Sequence, residues 1–208
     1  LLPAERVPSL TDGQGNLPGK WDFWRSALCG RLSAVELTDE INAQFDRLDG
    51  LGVRVDHLDS HHHVHLLPAV AAAAAPLIKE RGIRWVRRVR GKGEPAGSGA
   101  AALLGRLQQR SVALAGRRCE KFYREKAGAD DFYGFGWYLH PDPGSFLAGW
   151  ASGLERGRSE WMCHPADYAP GAPATAAEKR RQRECELLCA PETRRILAQA
   201  GIELMTLE

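Results

Sequence analysis

The densest group of histidines in this chain lies where a predicted strand gives way to a predicted helix. Five of the seven histidines fall within residues 57–65, which read His-Leu-Asp-Ser-His-His-His-Val-His. Residues 53–58 predict a strand, and residues 66–81 predict a helix that begins near Pro68. In α/β proteins, active sites are built where strands end and helices begin. The run therefore favours an α/β fold with polar chemistry at this strand end.

The spacing of these polar residues predicts a metal site. In an extended chain, alternate side chains project from one face. The odd-numbered polar residues of the run would share that face: His57, Asp59, His61, His63 and His65. Histidine is the commonest protein ligand for metals and is costly to bury without partners. We expect one or two of these histidines to bind a divalent cation, with further ligands from other strand ends. The alternative is a polar strand end whose histidines are hydrogen-bonded.

The rest of the chain alternates between short strand-like and longer helix-like segments. Helices are predicted at 33–49, 68–81, 100–115, 146–156, 176–189 and 191–200. Strands are predicted at 53–60, 83–89, 160–163 and 202–207, with loops at 91–99 and 130–136. This rhythm predicts a single α/β domain with a mostly parallel sheet.

Bulk composition excludes several classes of protein. A net charge of +2 gives no support to a nucleic-acid partner. No apolar run reaches about 18 residues, so no membrane span is expected. The sequence shows no signal peptide. The five cysteines are irregularly spaced and form no CxxC pair, which argues against a disulfide framework. We therefore expect a reducing, cytoplasmic compartment.

Polar residues at other strand ends are further candidates. His164 follows the apolar residues 161–163 and precedes Pro165, so it is either a general acid or base or a histidine bonded to a loop backbone. Arg87 and Arg90 either orient a carboxylate or form a solvated basic edge.

Two aromatic residues and a pair of aspartates can each be interpreted in two ways. Trp21 and Trp24 are either platforms for sugar rings or core residues. Asp130 and Asp131 are either metal ligands or loop caps.

The segment Asp56–Pro68 closely resembles the signature of the YdjC-like carbohydrate deacetylases, of the chitooligosaccharide deacetylase type. The likeness covers nearly the whole chain. It extends to Gly19–Trp21, to the Cys-His-Pro end of residues 160–166, and to residues 201–204. The resemblance implies an irregular (β/α) barrel of the glycoside hydrolase/deacetylase type, formed by residues 1–208 as one domain. It also implies one divalent metal ion, Mg²⁺ or Zn²⁺, at the carboxyl ends of the strands.

The resemblance also implies the activity and the roles of individual residues. Family members remove acetyl groups from N-acetylated oligosaccharides, and a homodimer is possible. His61 matches a metal ligand, and His164 matches a candidate acid for the leaving amine. The remaining residues are expected around the metal or the substrate: Asp59, His63, His65, Arg87, Arg90 and Trp21.

The chain departs from the family pattern at its beginning. The family opens with an Ala-Asp-Asp-Phe-Gly strand end, and a later strand carries a Gly-x-His segment. Residues 1–3 resemble the loop after that segment, so we expect the chain to be N-terminally incomplete and to lack the catalytic base and two metal ligands. Two alternatives to deacetylation therefore stay open. One is a metal-dependent phosphoesterase, and the other is a non-catalytic truncated homologue.

Overall fold

The computed structural model describes residues 1–90, 100–135, 143–169 and 175–206. Seven helices and four short strands occur in these ranges: α1 Lys20–Leu28, α2 Ala34–Asp49, β1 His57–Leu58, α3 Pro68–Glu80, β2 Trp85–Val86, α4 Ala100–Cys119, β3 Asp131–Tyr133, α5 Pro143–Ser152, β4 Ser159–Trp161, α6 Ala176–Cys189 and α7 Pro191–Gln199. Single 3-10 turns occur at Ala4–Arg6 and Pro8–Leu10, and a longer 3-10 segment with a kink at His62 and His63 occurs at His61–Leu66. The α/β class is confirmed, in a helix-rich form with small parallel sheets.

The chain divides into two compact units. The described part of the first unit comprises Leu1–Arg88 and Val112–Gly128. The described part of the second comprises residues 89–90, 100–111, 129–135, 143–169 and 175–206. The single domain expected over residues 1–208 stays a prediction.

The first unit contains a parallel sheet that places two strand ends side by side. Strand β1 pairs with β2 in parallel, with His57 opposite Trp85. Trp85 also forms a parallel bridge with Ala127, so a third segment runs alongside β2. Parallel strands end at the same edge of a sheet, so the residues that follow β1 and β2 become neighbours.

Helices α2 and α3 pack around this sheet because each has one apolar face. The Ser33 hydroxyl accepts the N–H of Glu36 and caps the start of α2. Pro68 begins α3, and Gly82 follows it with φ +66°, a left-handed conformation that suits glycine after a helix. The main core joins residues of both helices to β2 and the segment before it, and to the end of α4 and the segment after it: Phe45, Ala71, Ala74, Leu77, Ile78, Ile83, Val86, Cys119 and Tyr123.

The second unit has its own parallel pair and its own core. Strand β3 pairs with β4, with Tyr133 opposite Trp161. Helices α5 and α7 pack over this pair, and a cluster of buried residues lies between them: Tyr133, Leu147, Trp150, Ala151 and Leu197. The Trp150 ring lies 4.7 Å from that of Trp161, which joins α5 to β4.

Several sequence-based boundaries need correction. The strands predicted at 53–60 and 83–89 are shorter in the structure and correspond to β1 and β2. In each of them, only two residues are paired with the neighbouring strand. The predicted loop at 130–136 is wrong, since β3 lies there. The helix predicted at 146–156 runs from Pro143 to Ser152 instead. The described residues of the closing strand, 202–206, form no strand.

The other helix predictions are confirmed within a few residues, and α4 extends to Cys119. The loop predicted at 91–99 lies outside the described residues. Both sheets in the described ranges are two-stranded and open, so the closed barrel implied by the resemblance is not seen there. No helix among the described residues is long and apolar enough to cross a membrane.

Candidate functional site

The residues that follow β1 and β2 meet at one edge of the sheet. The N–H of Arg87 donates to the carbonyl of Leu58 at 2.9 Å, which continues the pairing one step past the strands. Arg87 Nη1 then lies 2.5 Å from Asp59 Oδ2, so the guanidinium orients the carboxylate. The Arg87 side chain is mostly buried and that of Asp59 is half exposed, which leaves part of the carboxylate facing solvent.

The histidine run leaves the extended conformation directly after Ser60. Residues His61–Leu66 form a 3-10 turn, and two of them are left-handed: His62 at φ 54°, ψ 25° and His63 at φ 57°, ψ 31°. Residues other than glycine rarely adopt this left-handed backbone conformation, because it is strained. The strain persists only where the surrounding structure enforces it. The expectation that the odd-numbered residues 57–65 share one face is therefore wrong, because the turn ends the alternation.

The turn separates the histidines into an exposed and a buried set. His61 and His62 are exposed, and their rings lie 3.9 Å apart. His63 and His65 are buried at 5% and 2% exposure. His61 is thus available to an external ligand, whereas His63 and His65 are part of the wall behind it.

Ser60 and His65 form a closed hydrogen-bonded pair across the turn. The Ser60 hydroxyl accepts the backbone N–H of His65 at 2.9 Å, and its oxygen lies 2.6 Å from His65 Nδ1. His65 Nε2 lies 2.9 Å from the carbonyl of Arg87. A carbonyl can only accept, so Nε2 carries the hydrogen and Nδ1 accepts the Ser60 hydroxyl. This chain of bonds ties the histidine turn to the end of β2.

Burial keeps His65 neutral at physiological pH. Desolvation lowers the pKa of His65 to about 4 and outweighs the opposing effect of the bond to the Arg87 carbonyl. His65 therefore acts as a neutral hydrogen-bonding group in the wall of the site.

Two residues that the sequence did not single out hold the backbone of the same turn. The Tyr123 hydroxyl donates to the carbonyl of His65 at 2.9 Å, and the Cys119 thiol donates to that of Leu66 at 3.0 Å. Burial raises the pKa of both groups, to about 11 for Cys119, so both remain protonated donors. Nothing in the sequence near 119–123 signals this role. Ser60, by contrast, stands inside the histidine run and could have been noticed there.

His57 is separate from the turn. It lies on β1, and its Nδ1 is 2.6 Å from Asp56 Oδ1 on the exposed surface. This hydrogen bond lowers the pKa of the Asp56 carboxyl, with a smaller contribution from the charge of Arg84. His57 is therefore engaged with its neighbour in the chain.

The donors at the strand ends are too few for a complete metal site. Among the residues that the structure describes, no group of three or more histidine, cysteine, aspartate or glutamate side chains is arranged to hold a metal ion. Structural and catalytic sites for Zn²⁺ use at least three protein ligands. The exposed His61 and His62 and the half-exposed Asp59 are among the donors at this edge, and the described residues fit only part of such a site.

His164 lies in the second unit, three residues beyond the end of β4. It is exposed, and its backbone N–H donates to the carboxylate of Glu184 on α6. Burial of Glu184 raises the pKa of that carboxyl despite this bond. The strand-end position expected for His164 is therefore correct, and its imidazole stands at the surface of the second unit.

Other sequence-derived candidates have mixed outcomes. The carbonyl of Arg90 accepts the N–H of Phe132 at 3.1 Å, which extends the pairing beside β3. Asp130 accepts the N–H of Arg158 at 3.0 Å, the capping role that was one of its two readings. Trp21 on α1 is 75% exposed, with Lys20 Nζ 4.8 Å from its ring centre.

Trp24 packs against the buried cluster formed by residues such as Leu37 and Val70, so its core reading is correct. Trp21 keeps the alternative reading, because an exposed indole face is available for stacking.

Comparison with known proteins places the chain in a family. A family model described as YdjC-like protein matches residues 1–199. The chain belongs to the YdjC-like family. The match includes the histidine turn, β1, β2 and the Cys-His-Pro segment that ends in Pro165, so every candidate residue of both units lies inside the family region.

Relatives of this YdjC-like chain carry the name chitooligosaccharide deacetylase. A protein of that name from Yersinia pestis (strain Pestoides F) is 31% identical over 205 residues, which cover 97% of this chain and 71% of the relative. One from Yersinia pseudotuberculosis (serotype O:1b, strain IP 31758) has the same identity and coverage.

A solved structure supports the fold of the YdjC-like chain. It is that of a proposed cellobiose-phosphate cleavage protein from Enterococcus faecalis V583, with a TM-score of 0.70 and 21% identity. The alignment covers 100% of this chain and 70% of that one.

Proposed function

We propose that this chain belongs to a metal-dependent hydrolase that removes acetyl groups from N-acetylated oligosaccharides. The observation that carries the proposal is the 31% identity, over 97% of the chain, to proteins named chitooligosaccharide deacetylase. The geometry of the histidine turn adds support. It exposes His61, two residues after the Asp59 carboxylate that Arg87 holds, at the strand edge where α/β enzymes build active sites.

His61 is the residue proposed to bind a divalent cation, Mg²⁺ or Zn²⁺. Its ring is exposed, and its neighbours hold the backbone on both sides through Ser60 and His65. A cation at this edge would supply polarisation of the acetamide carbonyl. The described residues offer too few ligands for a complete site. The proposal therefore includes ligands from outside the described residues, and no catalytic step is assigned to the cation.

The other candidates are proposed to position the substrate or transfer protons. Asp59, held by Arg87, would accept hydrogen bonds from sugar hydroxyls or from the ligand shell. His164, whose imidazole is exposed, would protonate the departing amine.

Three further residues have supporting roles. Trp21 would stack against the apolar face of a sugar ring. The buried His63 would support the backbone of the turn that carries His61, and Arg90 would contact the substrate.

Acetate release from N,N′-diacetylchitobiose tests the proposal. The 208-residue chain is assayed with added Zn²⁺ or Mg²⁺, alongside His61→Ala and His57→Ala. We expect His61→Ala to reduce the rate by about 100-fold or more. His57→Ala removes an exposed histidine of the same sheet and is expected to leave the rate nearly unchanged.

Other outcomes would contradict the proposal. Equal rates for His61→Ala and the parent chain would remove His61 from the mechanism. Hydrolysis of p-nitrophenyl phosphate without acetate release would favour the phosphoesterase. No hydrolysis of either substrate, by the 208-residue chain or by a longer chain that restores the upstream strands, would favour the non-catalytic homologue.

A further inference from the structure

The first unit contains a concave site at the sheet edge opposite to the histidine turn. Its cavity has a volume of about 310 Å³. The wall includes residues that precede β1 and β2, among them Arg54, Asp56 and Arg84, whereas Asp59 and Arg87 follow the same strands. The strands are parallel, so the cavity lies at their amino ends and is separate from the proposed active site.

The charged side chains of the cavity are unequally paired. Arg81, one of its three arginines, forms ion pairs with Asp46 and Asp49 and donates to Asn42 Oδ1 at 2.8 Å. The guanidinium carbon of Arg81 also lies 5.1 Å from the centre of the Phe45 ring. Arg81 and Asp49 therefore compensate each other and form a fixed part of the wall.

The second carboxylate of the cavity is also engaged. Asp56 bonds to His57 at 2.6 Å, and its pKa is lowered chiefly by that bond. Arg84 contributes a weaker electrostatic effect on Asp56 without forming an ion pair within the described part of the chain. Both cavity carboxylates thus have partners before any ligand enters.

Two arginines of the cavity wall have no side-chain partner among the described residues. Arg54 and Arg84 are exposed, and neither guanidinium makes a side-chain hydrogen bond or ion pair with another described residue. A guanidinium presents five N–H donors in a planar fork that matches the oxygens of phosphate. Two such forks on one concave surface, which Asp56 also lines, suit an anionic ligand with several acceptor oxygens.

We propose that this cavity binds the dianionic phosphate group of a small molecule, through Arg54 and Arg84. The volume is within the range of small-ligand sites. Arg81, held against Phe45 and compensated by Asp46 and Asp49, forms a fixed part of the wall beside these two arginines. A monocarboxylate satisfies one fork only, so the site prefers phosphate to acetate. The inference does not depend on the deacetylase activity.

Isothermal titration calorimetry of the 208-residue chain at pH 8 tests the site. Inorganic phosphate and glucose 6-phosphate are titrated at constant ionic strength, with acetate for comparison. We expect saturable binding of phosphate and weaker or no binding of acetate. The double variant Arg54→Gln/Arg84→Gln is expected to weaken phosphate binding by about tenfold or more, because charge-assisted bonds are lost.

The control variant is Arg47→Gln, which removes an exposed arginine of α2 that is not part of the cavity wall. Circular dichroism of the double variant checks that it remains folded, which is expected because both substituted residues are exposed. Tighter binding of glucose 6-phosphate than of inorganic phosphate would support a phosphorylated sugar as the ligand. The proposal is overturned if neither phosphate binds, if acetate binds equally well, or if the double variant and Arg47→Gln bind phosphate like the parent.

Discussion

At the scale of single residues, the Ser60 hydroxyl has two bonding partners. It accepts from the His65 backbone and donates to the His65 ring, and the ring is almost fully buried. These bonds close the turn around His62 and His63, whose left-handed backbones would otherwise relax to ordinary conformations. A serine with no catalytic role of its own thereby fixes the position of the proposed ligand His61.

Replacing Ser60 tests this arrangement. Ser60→Ala leaves a buried imidazole nitrogen and a backbone N–H without their partner, and is expected to lower the free energy of unfolding by about 1–3 kcal/mol. Urea denaturation measures the change. Ser60→Thr restores the hydroxyl and should recover most of the loss.

The matched control is Ser152→Ala, whose hydroxyl donates to Gly149 on the exposed surface. It should change stability by no more than about 0.5 kcal/mol. A loss for Ser60→Ala as small as that of the control would contradict the structural role of the pair.

At the scale of elements, the strands are shorter than the sequence suggests, and close packing stabilises them. Gly134 follows β3 with φ +117°, and a Cβ atom there would overlap the carbonyl oxygen of Met162 beyond β4. The N–H of Met162 donates to the carbonyl of Tyr133 at 2.9 Å, so the two chains approach closely at this point. Only glycine permits both the backbone angle and the approach.

Two glycine variants in the second unit distinguish the effect of backbone strain from the effect of helix propensity. Gly134→Ala is expected to lower the free energy of unfolding by about 2 kcal/mol or more, because it adds a steric overlap and a strained φ. Gly149→Ala lies within α5 with open space around it, and should be neutral or raise stability by about 0.5–1 kcal/mol. Thermal melts of both variants give the comparison, and equal effects would refute the close approach of β3 and β4.

At the scale of the whole molecule, burial of His65 makes stability depend on pH. Its pKa is about 4 in the folded chain and about 6.5 when exposed. Between these values the unfolded chain binds a proton that the folded chain does not. The contribution of His65 is therefore complete above pH 6.5 and is lost as pH falls towards 4.

Unfolding measured from pH 4 to pH 8 tests this linkage. The parent chain is expected to lose stability on acidification more steeply than His65→Gln, which keeps a donor and an acceptor but cannot be protonated. His57→Gln removes an exposed histidine and should follow the parent curve. A parent curve parallel to that of His65→Gln over this range would show that His65 is not buried neutral.

Much of the element order could be predicted from the sequence. Helices α2, α3, α6 and α7 carry their own start signals, such as Ser33 before α2 and prolines at the first positions of α3 and α7. The predicted strand lengths were wrong because strand pairing depends on a neighbouring segment that is distant in the chain. The loop predicted at 130–136 failed for the same reason, since β3 exists only against β4.

The sequence by itself determined the α/β class, the family likeness and the presence of His61 at a strand end. These depend on local signals: periodicity, capping residues and a dense motif. The tertiary structure alone decided which histidines are buried, that Arg87 holds Asp59, and that Tyr123 and Cys119 support the turn. It also brought Arg54 and Arg84 to one cavity. Each of these relations joins residues far apart in the chain, and only the packed backbone fixes such distances.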